Sequence, residues 1–140
     1  MTDADPSTIV DALAELSFVM LDVLTRCAAE HELSLSQLRL LGILRDRQPT
    51  MAQLAVHLRL DRSSITGLID RAEKRGLVAR RASVDDGRVT IIEPTAAGRR
   101  IMEQLEATIG REVGELVSPT SRSDQATIIR FSRSVTPRLP

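Results

Sequence analysis

Aromatic residues are nearly missing from this sequence: two Phe and no Trp or Tyr in 140 positions. A core must therefore be assembled from Leu, Ile, Val, Met and Ala, a palette that suits long helices stabilised by packed amphipathic faces. A single cysteine, Cys27, excludes an intrachain disulfide and a thiolate metal cluster. No apolar run approaches the ~20 residues needed to span a bilayer. Met1 to Ser7 lacks the basic-then-apolar layout of a secretion signal, so the expected location is cytoplasmic and no membrane partner is expected. Gly-x-Ser-x-Gly, a phosphate-binding glycine loop and His-Glu-x-x-His are all missing, which argues against an enzyme and against a cofactor. His31 and His57 are too few, and too poorly accompanied, for a metal site. Lysine is scarce as well: Lys74 stands alone among 19 basic residues. Arginine suits phosphate and guanine recognition, although a GC-rich genome encodes the same bias.

The 42% apolar fraction is that of a folded protein rather than a disordered one. Net charge is zero, but it is unevenly spread. Residues 59–100 hold ten basic and six acidic residues, a net of +4, and the remainder of the chain carries −4. A basic middle between acidic ends is the footprint of a nucleic-acid partner, and also what an ordinary solvated helix surface can show.

Hydrophobic periodicity and capping signals predict six helices and one hairpin. Ile9, Val10, Leu13, Leu16, Met20, Leu21 and Leu24 recur at helical spacing after Asp5-Pro6-Ser7, giving a first helix that ends near His31. Ser34-Leu35-Ser36-Gln37 and Thr50-Met51-Ala52-Gln53 are capping boxes that open a second helix, to about Asp46, and a short third one, to about Leu58. Asp61 caps a fourth, with Ile65, Leu68, Ile69 and Ala72 on its buried face and Gly76 at its end. The third and fourth helices are separated only by Arg59-Leu60-Asp61, the helix-turn-helix layout. The runs from Leu77 to Arg81 and from Val89 to Ile92 flank an Asp86-Gly87 turn and read as a hairpin directly behind it, a wing. Thr95 caps a fifth helix broken by Pro119. Ser121 starts a last helix, with Pro137 ending it.

The face of the fourth helix opposite its apolar stripe presents Arg62, Ser63, Thr66 and, a turn later, Asp70 or Arg71. Small hydroxyls at a helix N-terminus permit close approach to a DNA groove, and such side chains bond base edges or phosphates. Gly67 costs helix propensity, which a close approach to DNA or another helix would explain. Arg88, beside Asp86 and Gly87 at the hairpin tip, has the shape for a minor groove. Asp86 is an acceptor able to hold Arg88 or a helix arginine.

The segment from Leu60 to Val78 resembles the recognition-helix region of the MarR family of bacterial transcription regulators. Asp86-Gly87-Arg88 is similar to that family's Asp-x-Arg wing signature, Thr95-Ala96-Ala97-Gly98 to the start of its next helix, and Ser34-x-x-Gln37 to the start of its second. The resemblance covers about residues 8–136. Pro94 and Ala72 depart from it, standing where Leu and a larger apolar residue are usual. It implies a mostly α fold with a small β-hairpin wing, a winged helix-turn-helix lobe at 34–97, and dimerisation helices at 1–33 and 98–140. It also implies a homodimer on double-stranded DNA with a pseudo-palindromic operator, and repression relieved by a small phenolic or other lipophilic effector. Arg62, Ser63, Ser64 and Thr66 would then meet bases and phosphates in the major groove. Arg71 and Ser36 or Gln37 would meet phosphate, and Arg88 the minor groove. Two alternatives remain open at this point: a winged-helix protein-interaction module, and an oxidant sensor acting through Cys27.

Overall fold

In the computed structural model, described here for residues 5–136, six helices and one antiparallel hairpin form a winged helix-turn-helix carried between helical arms. The end of the last helix at Pro137 lies outside the described residues. Helix α1 spans Pro6–Ala29, α2 Leu35–Leu44, α3 Met51–Leu58 and α4 Arg62–Lys74. Strands β1 Val78–Ala82 and β2 Thr90–Pro94 follow, then α5 Ala96–Val117 and α6 Arg122–Val135. No helix among the described residues is long and apolar enough to cross a membrane.

The capping signals act as their chemistry requires. The Ser34 and Thr50 hydroxyls accept from the backbone N–H of Gln37 and Gln53, at 3.1 Å each, and the two Gln side chains accept from the cap N–H in return. Asp5, Asp61, Thr95 and Ser121 cap the other four helices. Two helix ends were not legible. The turn after α1 and the end of α3 place Glu32 (φ 55°) and Arg59 (φ 53°) in the left-handed region normally held by glycine. Leu33 N–H then donates to the Ala28 carbonyl, and Leu60 N–H to the Ala55 carbonyl, so orphan carbonyls are satisfied at the cost of local strain. This closes α1 two residues before His31. Helix α2 likewise stops at Leu44, just short of the expected Asp46.

The core is one cluster, in which Cys27, Leu40, Leu41, Leu54, Leu68, Ile69, Leu77, Val78 and Ile92 are almost wholly buried. It joins α1, α2, α3, α4, the hairpin and Leu105 of α5. β1 and β2 pair with Val78 opposite Pro94 and Ala82 opposite Thr90. Each strand lies about one residue later than periodicity suggests, because Leu77 belongs to the end of α4. Gly76 (φ 71°) sends its N–H to the Glu73 carbonyl and Leu77 N–H to the Ala72 carbonyl, the paired bonds of a Schellman stop. The Leu77 carbonyl in turn accepts Thr95 N–H at 3.0 Å, and the Thr95 hydroxyl donates to the Gly76 carbonyl while accepting Gly98 N–H. A bridge from Thr50 to Ile91, with Ile92 N–H on the Pro49 carbonyl, ties the hairpin to the segment entering α3.

Gly98 presses on the recognition-helix stop so closely that a Cβ there would lie 2.1 Å from the Leu77 carbonyl oxygen. That neighbour is backbone and cannot swing aside. Gly98→Ala is expected to lower stability by about 1–3 kcal/mol, as overpacking does. Urea unfolding at fixed protein concentration measures it, and an unchanged midpoint would contradict the close approach.

Candidate nucleic-acid interface

The N-terminal turn of α4 is organised by Asp61. Its Oδ1 accepts the Ser64 N–H at 2.7 Å and the Ser63 hydroxyl at 2.9 Å. Hydrogen bonds from Ser64, backbone first, and from Ser63 hold the Asp61 carboxyl below the usual carboxylate range. With its folded value depressed, this cap is present at neutral and mildly acidic pH and is lost only as pH falls through that lowered value. Ile65, Leu68, Ile69 and Ala72 bury one side of the helix, which turns Arg62, Ser63, Ser64, Thr66 and Arg71 outward.

The wing is a loop from Ser83 to Val89 closed by Ser83 N–H on the Val89 carbonyl (2.8 Å) and Val89 N–H on the Asp86 carbonyl (2.9 Å). Asp86 Oδ1 accepts the backbone N–H of Arg88 at 3.0 Å and its Nε at 3.3 Å. The carboxylate therefore holds Arg88, not a helix arginine. It grips the inner edge of the guanidinium and leaves the side chain 93% exposed. Arg62 and Thr66 of α4, Thr50 and Met51 of α3, and Arg88, Val89 and Thr90 of the wing line one open concavity. The fold thus joins the two features that sequence spacing could only place in order.

Charge pairing separates structural arginines from surface ones. Arg80 reaches from β1 to both Asp70 and Glu73 of α4, the latter at 3.1 Å, and fixes the wing's base to the recognition helix. Arg81 bonds Glu93 (3.1 Å) and Gln48 (3.2 Å). Asp70 is thereby held toward the wing while staying exposed, and of the two it is Arg71 that is unpaired among the described residues. Arg62 and Arg71, by contrast, carry no ion pair among the described residues. These pairings were not legible in the sequence, where Arg80 and Arg81 are an undifferentiated basic pair.

Two expected contacts look different in three dimensions. Ser36 is exposed, but Gln37 is buried with its Oε1 on Ser34 N–H, so it stands apart from the outward set. At Gly67 the neighbour within the chain is the Arg71 guanidinium, which folds back over it, its Nη1 3.1 Å from where a Cβ would be. Gly67→Ala meets only the far end of a flexible side chain. It is expected to raise stability by up to about 1 kcal/mol through helix propensity. Thermal unfolding followed by circular dichroism checks this, and a lowered midpoint would show that Arg71 cannot yield.

Cys27 is fully buried. Burial pushes its thiol up, and the nearby Glu112 and Glu30 carboxylates add to this, outweighing Arg26 and Arg111. A sensor thiol needs the reverse, an accessible and electropositive setting. Iodoacetamide is therefore expected to leave the native protein unmodified and to alkylate Cys27 only in denaturant. Rapid native labelling by mass spectrometry would reverse this reading.

Residues 31–89 match the MarR family model. Solved structures share the whole architecture. A MarR-family transcriptional regulator from Rhodococcus sp. RHA1 superposes with a TM-score of 0.80 at 21% identity, over 96% of this chain and 96% of its own. CouR from Rhodococcus jostii RHA1, solved with p-coumaroyl-CoA, superposes at 0.76 and 21% identity over 95% of this chain and 92% of its own. The repressor CouR on a 23-mer DNA duplex gives 0.76 and 21% identity over 90% of each chain. The fold is that of MarR-family winged-helix regulators.

Proposed function

We propose that this chain, with a MarR-family segment at 31–89 inside the MarR-type fold, is a DNA-binding transcription regulator that works as a homodimer. The observation that carries the reading is the concavity shared by Arg62, Thr66 and Arg88, in which recognition-helix and wing cations face one partner. A surface that met a protein would be expected to balance these charges. Instead Arg62 and Arg71 are unpaired among the described residues, while Arg80 and Arg81 are tied into the fold. That difference favours a polyanion over the interaction-module alternative. In this reading Arg62, Ser63, Ser64 and Thr66 enter the major groove and Arg88 the minor groove. Arg71 and Ser36 lie along phosphates, with Gln37 acting behind them as the brace of the α2 cap.

Dimerisation follows from unburied apolar surface. Helix α6 has no buried residue, yet Ile128, Phe131 and Val135 form a stripe along it. Helix α1 exposes Val10, Leu13 and Phe18, the last at 71%. Apolar faces of this length need a cover, and a second copy supplies the matching one. Two-fold symmetry would set the recognition helices about one DNA turn, roughly 34 Å, apart on a pseudo-palindromic operator.

The effector is proposed to be a small lipophilic anion. A crevice of about 310 Å³ between α2 and α5 is walled by Leu38, Leu41, Leu105, Ile109 and Val113; Arg45 at its lining is paired with Asp46 (3.0 Å) and Glu106 (3.8 Å), so a negative group would take the place of those carboxylates. Because α2 belongs to the DNA-binding lobe and α5 to the helical arms, a molecule wedged there favours one lobe spacing over another, and release from DNA follows. Repression is the proposed mode.

The direct test is fluorescence anisotropy with duplex DNA from upstream of the protein's own gene. Affinity is expected to fall steeply with salt, and Arg88→Ala to weaken binding by about 1–3 kcal/mol. No duplex binding by the wild-type protein at low salt would refute the reading in favour of a protein-binding module.

A further inference from the structure

The hydroxyl groups of the recognition helix are not equivalent, because the fold has already assigned some of their protons. Ser63 Oγ lies 2.9 Å from Asp61 Oδ1. An ionised carboxylate can only accept, so the serine proton points at Asp61. Thr66 Oγ1 lies 2.7 Å from the Arg62 carbonyl oxygen. A carbonyl too can only accept, so the threonine proton points back into the helix. Both hydroxyls are on the exposed side of α4, and what each offers outward is lone pairs alone.

Phosphate oxygens are also acceptors only. An acceptor-only hydroxyl gains nothing from a phosphate and is repelled by it, and the Asp61 charge beside Ser63 adds to that repulsion. In the major groove the donors are the exocyclic amino groups of adenine (N6) and cytosine (N4); guanine and thymine present O6 and O4 acceptors there. Resting on the DNA-binding reading, we propose that Ser63 and Thr66 are specificity-determining residues that accept from adenine or cytosine amino groups and do not serve as phosphate ligands. The division of labour along α4 is then complete. Arg62 and Arg71 provide the donors, suited to phosphate or guanine, and the two hydroxyls select amino-bearing bases at the positions they face. Thr66 shares its concavity with Arg62, so a guanine next to an adenine or cytosine is the expected half-site feature.

The test uses the full-length protein and the duplex it enriches from a randomised pool. Affinities are measured for that duplex and for copies in which single adenines or cytosines are replaced by analogues lacking the exocyclic amino group. Wild type is expected to lose about threefold to tenfold at the positions read by these residues, the value of one hydrogen bond. Ser63→Ala and Thr66→Val should each lose the same amount on the parent duplex. Each should then be insensitive to amino removal at one position. Arg71→Ala, which removes a charge, should instead lower the slope of log affinity against log salt by about one. Variants that keep full sensitivity to amino removal everywhere overturn the assignment, as does a wild type that tolerates every amino removal but loses affinity when a single phosphate is replaced by a methylphosphonate, with Ser63→Ala or Thr66→Val abolishing that loss. Failure of the wild type to bind any duplex at low salt overturns the DNA-binding reading itself, and this inference with it.

Discussion

The Leu77 carbonyl is the point on which the geometry of the interface depends. It accepts Thr95 N–H at the start of α5, and Gly98 lies against it with no room for a side chain. The same residue's N–H closes the α4 stop on Ala72. One residue therefore sets where the recognition helix ends, where the wing begins and where the long arm α5 departs. Because each of these groups is held by backbone, the arm cannot tilt without disturbing the helix that carries Arg62 and Thr66. That coupling is what the proposed function needs if an event among the arms is to reach the surface that carries Arg62 and Arg88.

Around this junction, electrostatics divides the arginines into two populations. Arg80 and Arg81 bind carboxylates across the wing base, and Arg75 donates to the His31 and Glu32 carbonyls. These hold the lobe together. Arg62, Arg71 and the outer edge of Arg88 face outward, where the low exposure to neighbouring acids leaves their field available to a polyanion. The localised +4 of residues 59–100 understates this separation, because many of the acids counted there are engaged by the structural arginines. The crevice between α2 and α5 shares no lining residue with the concavity of α3, α4 and the wing. Effector and DNA would thus act through the packing of α2 rather than by competing for one surface.

Much of the fold was legible because its signals are local. Asp61, the two capping boxes and Gly76 each act within four residues, and the apolar period of α4 marked its outward face at Arg62, Ser63 and Thr66, leaving Asp70 or Arg71 a turn later. The features that were not legible are those in which an unusual residue takes a conformation or partner imposed from a distance. Glu32 and Arg59 adopt left-handed backbone without being glycine, since burial of Leu33, and the packing of Leu60 beside the core, outweigh the local strain. Beside Gly67 it is Arg71 of the same helix that folds back over the open backbone, a placement no spacing announces. Gln37 shows both sides at once: its capping role was readable, and its burial, which removes it from the outward set, was not.

The sequence by itself determined the order and type of the elements, the outward identity of Arg62, Ser63, Ser64, Thr66 and Arg88, and the resemblance to MarR-type regulators. Period, capping and turn chemistry are short-range and survive in a linear string. Only the tertiary structure decided that Arg62 and Arg88 share one concavity and that Arg80 is a brace while Arg62 is not. Those outcomes depend on which acceptors the folded chain brings within about 3 Å of each donor, the reach of a hydrogen bond, and no spacing in the sequence encodes that distance.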